Sequence, residues 1–140
     1  MKFKELLTES INKEYLEDIL TIFSNKFNYD GSYGNCGVFA VALNKFLGGG
    51  GTYMVLVEPD EPEYYSHVAL KKDGILYDFD GITTKSKMKN DYADGRGSFI
   101  ETDDDDNVIK YTESKNTEEE LLDGLNKSKK YLDSHNKKKE

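Results

Sequence analysis

From Cys36 to Leu47 the chain reads Cys-Gly-Val-Phe-Ala-Val-Ala-Leu-Asn-Lys-Phe-Leu, and only Asn44 and Lys45 are strongly polar. That composition predicts a helix over 36–47 that is apolar around most of its circumference. Such a helix has no face to give to water, so other elements must cover it on nearly every side. A polar, Gly-rich loop from Asn28 to Asn35 leads into it, and Gly48 to Gly51 end it with a flexible exit. The remaining sequence therefore has to supply layers around a central helix.

The candidates for those layers follow from periodicity. Phe3, Leu6, Leu7, Ile11, Tyr15, Ile19, Ile22 and Phe23 recur at helical spacing. They predict one amphipathic helix over 3–26, or two joined near Ser10-Ile11-Asn12. Tyr53 to Val57 reads as a strand, and Pro59 and Pro62 bracket an acidic loop. Ser66–Lys71 and Ile75–Asp80 read as strands joined at Lys72-Asp73-Gly74, a hairpin signal. Residues 81–97 lack periodicity and read as a long loop. Phe99-Ile100 and Val108-Ile109-Tyr111 suggest a last hairpin around an acidic turn. Thr117-Glu118-Glu119-Glu120 is a capping box opening a helix with the stripe Leu121, Leu122, Leu125 and Leu132. The expected fold class is α+β: a mainly antiparallel sheet packed on a central buried helix, with N- and C-terminal helices. A chain of 140 residues is the length of one domain.

Composition narrows the function. A single cysteine excludes an internal disulfide and fits a reducing compartment. No segment approaches the roughly 20 apolar residues that span a bilayer. Met1-Lys2-Phe3-Lys4-Glu5 lacks the apolar core of a signal peptide. The expectation is a soluble, cytoplasmic protein with no membrane partner. A net charge of −8 argues against binding nucleic-acid backbones. The charge is uneven: 101–106 and 118–120 are acidic, and 127–139 is lysine-rich. Such runs read first as solvated surface or a frayed end. The acidic run 101–106 also admits a reading as a mimic of nucleic acid. No cofactor or metal is expected. Zinc lacks ligands, with one Cys and only His67 and His135. Asn90 to Glu101 has Gly95 and Glu101 at EF-hand spacing but puts Tyr92 at a ligand position. The glycines at 48–51 lack the Lys-Ser/Thr of a phosphate loop.

The chemistry-bearing residues are few. Cys36 heads the apolar helix, and a helix N-terminus is where a thiol most easily becomes a thiolate. His67 lies on the first strand of the hairpin, with Asp78 and Asp80 on the second. Residues two apart on a strand share a face. A two-residue turn at Asp73-Gly74 sets His67 opposite Asp80, and a four-residue loop from Lys71 to Gly74 sets it opposite Asp78. Either register leaves the other carboxylate as a diagonal neighbour. A carboxylate there would hold the imidazole tautomer, leaving the other ring nitrogen for Cys36. A thiolate–imidazolium pair is then a nucleophile and a base. The backbone N–H of Cys36, with Asn35 or else Ser32 or Tyr33, is the candidate oxyanion donor. A buried structural thiol remains the plain alternative.

Gly34-Asn35-Cys36-Gly37-Val38-Phe39-Ala40-Val41-Ala42-Leu43, His67-Val68-Ala69-Leu70 and Asp73-Gly74-Ile75-Leu76-Tyr77-Asp78 resemble the papain-like superfamily of cysteine hydrolases and acyltransferases, including its NlpC/P60 and transglutaminase-like members. The resemblance covers about residues 30–81. It implies a papain-like fold, with Cys36 as nucleophile, His67 as base and Asp78 as orienting acid. Asp80 is the alternate, because resembling sequences place the acid after a Tyr-like residue with a Gly a few positions on. It implies a Cys36 thioester acting on a peptide or protein substrate, as peptidase, amidase or deamidase. No Gln supplies the superfamily's usual oxyanion donor, and the segment after Gly81 has no counterpart in the pattern. A protein that keeps the fold without the chemistry, and binds in a virion or to a host protein, is the rival reading.

Met1 to Ser10 resembles the capsid-targeting leaders of internal head proteins of T4-like phages. That likeness implies cleavage after Leu7-Thr8-Glu9, between Glu9 and Ser10, and delivery with the genome to a host cytoplasm. The implied organisation is a leader over 1–9, one papain-like domain over 10–133 and a lysine-rich tail over 134–140. An ordinary first helical turn is the alternative.

Overall fold

The computed structural model describes residues 13–29, 35–57, 65–110, 112 and 116–138. In chain order they form α1 (Lys13–Asn25), α2 (Cys36–Phe46), β1 (Thr52–Val57), β2 (Tyr65–Lys72), β3 (Ile75–Asp78), β4 (Gly81–Thr83), α3 (Lys85–Ala93), β5 (Ser98–Thr102), α4 (Asp105–Lys110) and α5 (Glu118–Lys138). The five strands make one antiparallel sheet in the order β4-β3-β2-β1-β5. The class is α+β, as the sequence predicts. Among the described residues, no helix is long and apolar enough to cross a membrane.

The apolar run lies at the centre. Every residue of α2 from Cys36 to Leu43 is buried. Leu16, Ile19, Leu20 and Phe23 of α1 cover it on one side, with Leu121 and Leu125 of α5. Tyr53 and Val55 of β1 and Val68 and Leu70 of β2 form the sheet face beneath it. Each large aliphatic or aromatic side chain so buried contributes about 1.5–3 kcal/mol, which makes this sheath the main source of stability. Lys72 ties down the far end of α2, donating to the carbonyls of Leu47 at 2.6 Å and Gly49 at 2.7 Å.

The other sheet face has its own cover. Leu56, Ala69, Met88 and Ala93 cluster there, with Leu76, Tyr92 and Phe99 packed around them. This layer comes from α3, inside the stretch that the sequence reads as loop. This helix carries little local signal. Only Met88 and Ala93 of α3 are buried, so it shows almost no apolar stripe. It is held by its ends instead. The Thr84 side chain accepts from Lys87 N at 3.1 Å, and Asp94 and Gly95 leave the helix at φ 51° and 79°.

The expected hairpin of Phe99-Ile100 with Val108-Ile109-Tyr111 does not form. β5 pairs with β1 instead, Leu56 opposite Phe99 and Val55 opposite Ile100. The acidic stretch becomes a helix start: the Asp104 carboxylate accepts from Asn107 N at 3.2 Å. Val108 is then buried in α4, and Tyr111 lies outside the described residues. Glu101, read as part of a solvated run, accepts from Thr52 at 2.8 Å and pairs with Lys71 at 3.1 Å. Asp105 accepts from the buried Tyr53 hydroxyl at 2.5 Å. The helix predicted over 3–26 is described from Lys13 to Asn25; the Leu7-Thr8-Glu9 triplet and Ser10 lie outside the described residues.

The capping box forms as expected. Glu120 N donates to the Thr117 hydroxyl at 3.1 Å, and Thr117 N donates to the Glu120 carboxylate at 3.0 Å. Asn116, just before the box, bonds Asn35 and so sets the start of α5 beside the start of α2. There Gly37 allows a close approach: a Cβ at this position would stand 2.1 Å from Val108 O and 2.5 Å from Thr112 Oγ1. A backbone oxygen cannot rotate away as a side chain can. Gly37→Ala is therefore expected to lose about 1–3 kcal/mol or more of stability, read by urea unfolding. A loss within a few tenths of a kcal/mol would show that α4 does not pack on the start of α2.

Candidate active site

Cys36 is the first residue of α2, at the end whose N–H groups have no partners within the helix. Asn35 precedes it, fully buried, at φ −91° and ψ −1°. Its side chain makes no cap to α2. Both ends of its amide meet Asn116: Asn35 Nδ2 donates to Asn116 Oδ1 at 2.9 Å, and Asn116 N donates to Asn35 Oδ1 at 3.2 Å. The candidate oxyanion donor thus carries a bond that joins α2 to the entry of α5. Sequence separation of 81 residues hides that bond from any local reading. Ser32 and Tyr33 lie outside the described residues.

His67 sits near the start of β2, buried at 1% exposure. Strand parity places it with Ala69, on the sheet face that carries α3, not the face of Val68 and Leu70 beneath α2. Two irregularities open a way to Cys36. The β2–β3 ladder stops at Leu70 opposite Tyr77, so β2 runs on past the last pair. The β1–β2 register also shifts between Leu56 and Val57, beside His67. The imidazole therefore stands at a broken corner of the sheet, where the start of α2 arrives.

The hairpin has the two-residue turn, Asp73-Gly74, with Lys72 opposite Ile75. Continued, that register would set His67 across from Asp80. The chain does not continue it. β3 ends at Asp78, which pairs with Gly81 of β4, so Asp80 is carried off the ladder into an exposed turn. The diagonal carboxylate meets the histidine instead: His67 Nε2 and Asp78 Oδ2 are 3.0 Å apart, both side chains buried. Asp80 serves through its backbone, its N–H donating to Asp78 Oδ1 at 2.9 Å. Asp78 is thereby held at both oxygens, and Nδ1 of His67 is left for Cys36.

The electrostatics follow from this enclosure. Burial opposes a charge on His67. The hydrogen bonds and negative charges of Asp78 and Cys36 outweigh it, pushing the imidazole from its usual 6.5 up to about 9. Tyr92 of α3 lies flat on the ring, with centroids 3.7 Å apart and planes 6° from parallel. Burial raises the Tyr92 phenol above its usual range, and the charges of Asp78, Asp80 and Cys36 push it the same way. Tyr92 is the site residue that sequence reading misses, since it enters only as an obstacle to a calcium loop. Its one advance signal is an aromatic in an otherwise polar stretch.

His135, the second histidine, is exposed on α5, stacked on Tyr131 at 3.9 Å. Among the described residues no cluster of three His, Cys, Asp or Glu side chains is placed to hold a metal ion. No protein-family model, curated protein or solved structure matches the chain.

A histidine whose folded-state pKa is raised binds its proton more tightly when folded. Its contribution to stability is complete below about pH 6.5 and is lost as pH rises through about 9. Unfolding free energies measured from pH 6 to 10 are expected to fall across that window. His67→Gln should lack this component, and Cys36→Ser should shift it to lower pH. A wild-type curve identical to that of His67→Gln would show that the imidazole is not held in its charged form.

Proposed function

We propose that the chain is a cysteine-dependent acyl hydrolase or acyltransferase working through a thioester on Cys36. The observation that carries this reading is the buried His67, bonded to Asp78 at 3.0 Å and shifted toward the imidazolium by Asp78 and Cys36 together. A thiol at the head of a buried helix, with histidine and acid on adjacent strands, is also the arrangement that the resemblance to papain-like enzymes implies.

In this reading the Cys36 thiol gives its proton to His67 Nδ1, and Sγ attacks the carbonyl carbon of an amide or ester. The electron pair of the C=O bond moves onto oxygen, for which the N–H groups of the first turn of α2 are the candidate donors. As the tetrahedral species collapses, the bond to the leaving amine or alcohol breaks and His67 returns the proton to that nitrogen or oxygen. The acyl group is now a thioester. Water, or an amine acceptor, attacks it while His67 takes the incoming proton, and the proton returns to sulfur as the C–S bond breaks. Asp78 stays ionised and fixes the ring. The substrate class is a peptide bond, a glutamine side-chain amide or a cell-wall peptide.

A second reading is favoured by burial. Cys36 is 6% exposed and His67 1%, so the pair also fits a protein that keeps the fold for binding, in a virion or on a host target. The reading as a nucleic-acid mimic draws less support, because Glu101, Asp104 and Asp105 are tied to Thr52, Asn107 and Tyr53.

Iodoacetamide at pH 7 is expected to alkylate Cys36 roughly tenfold or more faster than free cysteine, and His67→Ala should remove that advantage. Release from an activated amide or ester probe should vanish in Cys36→Ser. Labelling no faster than free cysteine, indifferent to His67→Ala, would sink the enzyme reading and leave the binding one. The leader reading has a separate check: mass spectrometry of protein taken from virions should find Ser10 at the N-terminus, and an intact Met1 end would end it.

A further inference from the structure

We propose that Tyr92 is a positioning residue of this centre: its ring lies flat on the His67 imidazole and fixes the plane in which Nε2 faces Asp78 and Nδ1 faces Cys36. The inference deepens the acyl-transfer reading and rests on it for its catalytic meaning. Its geometry stands on independent observations.

The first is the stack itself, with ring centroids 3.7 Å apart and an interplanar angle of 6°. Face-on contact at that distance fixes two degrees of freedom of the imidazole that one hydrogen bond leaves open, its tilt and its rotation about Cβ–Cγ. The second is location. Tyr92 comes from α3, packed on the sheet face opposite α2, so the imidazole is held between groups from opposite sides of the sheet. His67 still pairs with Leu56 of β1, but it lies past the last β2–β3 pair and beside the register shift, so the β3 side of the ladder gives its ring no support. The third is how α3 is anchored. Met88 and Ala93 are buried on either side of Tyr92 along the helix, and Thr84 caps its start. The ring is thus carried on a seated helix.

The contact also has an electrostatic sense. The ionisable groups that act on the Tyr92 phenol are Asp78 from β3, Asp80 from the β3–β4 turn, Cys36 from α2 and its own neighbour Asp91 on α3. The π-face of a tyrosine attracts a cation stacked on it, more strongly when both are shielded from water. Tyr92 therefore favours the imidazolium through its face while adding no negative charge of its own in the neutral range.

The test reads the histidine and the thiol directly. In wild-type protein the His67 Cε1 proton should show an upfield ring-current shift in the NMR spectrum. Its titration midpoint should fall by about one pH unit in Tyr92→Leu, and Tyr92→Phe should restore it. The pH–rate profile for alkylation of Cys36 should move with that midpoint. No ring-current shift in the wild type would overturn the proposal without any variant. So would a folded Tyr92→Leu protein whose His67 midpoint and alkylation profile match the wild type, or a Tyr92→Phe protein as perturbed as Tyr92→Leu. A shifted midpoint in a protein inert toward every acyl probe would overturn the enzyme reading and keep this one.

Discussion

Everything in this structure depends on enclosing α2. A helix apolar around its circumference cannot tolerate a wet side, so α1, α5, α4 and one face of the sheet converge on it. The enclosure also has a chemical consequence. The first residue of the enclosed helix is Cys36, and burying the helix brings that thiol among the side chains at the sheet corner. The close approach is permitted by Gly37, whose missing side chain leaves room for the Val108 carbonyl. Packing and site are thus set by one event.

The second constraint is the cost of burying polar groups. His67, Asp78 and Asn35 are each nearly or fully excluded from water. Each is accompanied: His67 by Asp78, Asp78 also by Asp80 N, and Asn35 by Asn116. Among the described residues no buried side-chain polar atom lacks a partner. Breaking such a buried charged pair by removing one member typically costs about 3–5 kcal/mol, so the His67–Asp78 contact is a firm fixture of the fold. A buried pair of this strength holds an imidazole still, which is what either a base or a structural clasp requires.

How much was legible beforehand follows the strength of local signals. The buried helix, β1, the Asp73-Gly74 hairpin and the α5 capping box all carry strong short-range patterns, and all are present. The α3 helix was hidden because it buries two residues and relies on its ends. The hairpin over 99–111 failed because an aspartate run serves equally as a turn or as the capped start of a helix, and Asp104 took the second role. At the candidate site, Cys36, His67 and both aspartates were visible as residue types. Hairpin geometry left Asp78 and Asp80 open, because the choice depends on where β3 stops, and only the resemblance favoured Asp78.

Sequence alone determined that a helix without a polar face would lie at the centre, headed by a lone cysteine, and that a histidine would share a hairpin with Asp78, with Asp80 close behind it in the chain. Those are properties of composition and of periods a few residues long. Only the tertiary structure decided that Asp78 reaches His67, that Asn35 is bound to Asn116 and that Tyr92 lies on the imidazole. These contacts span 11, 81 and 25 residues of chain, the last being 92 − 67. They arise from strand ends, a register shift and the seating of separate helices, which no local pattern encodes because they exist only once the layers have packed.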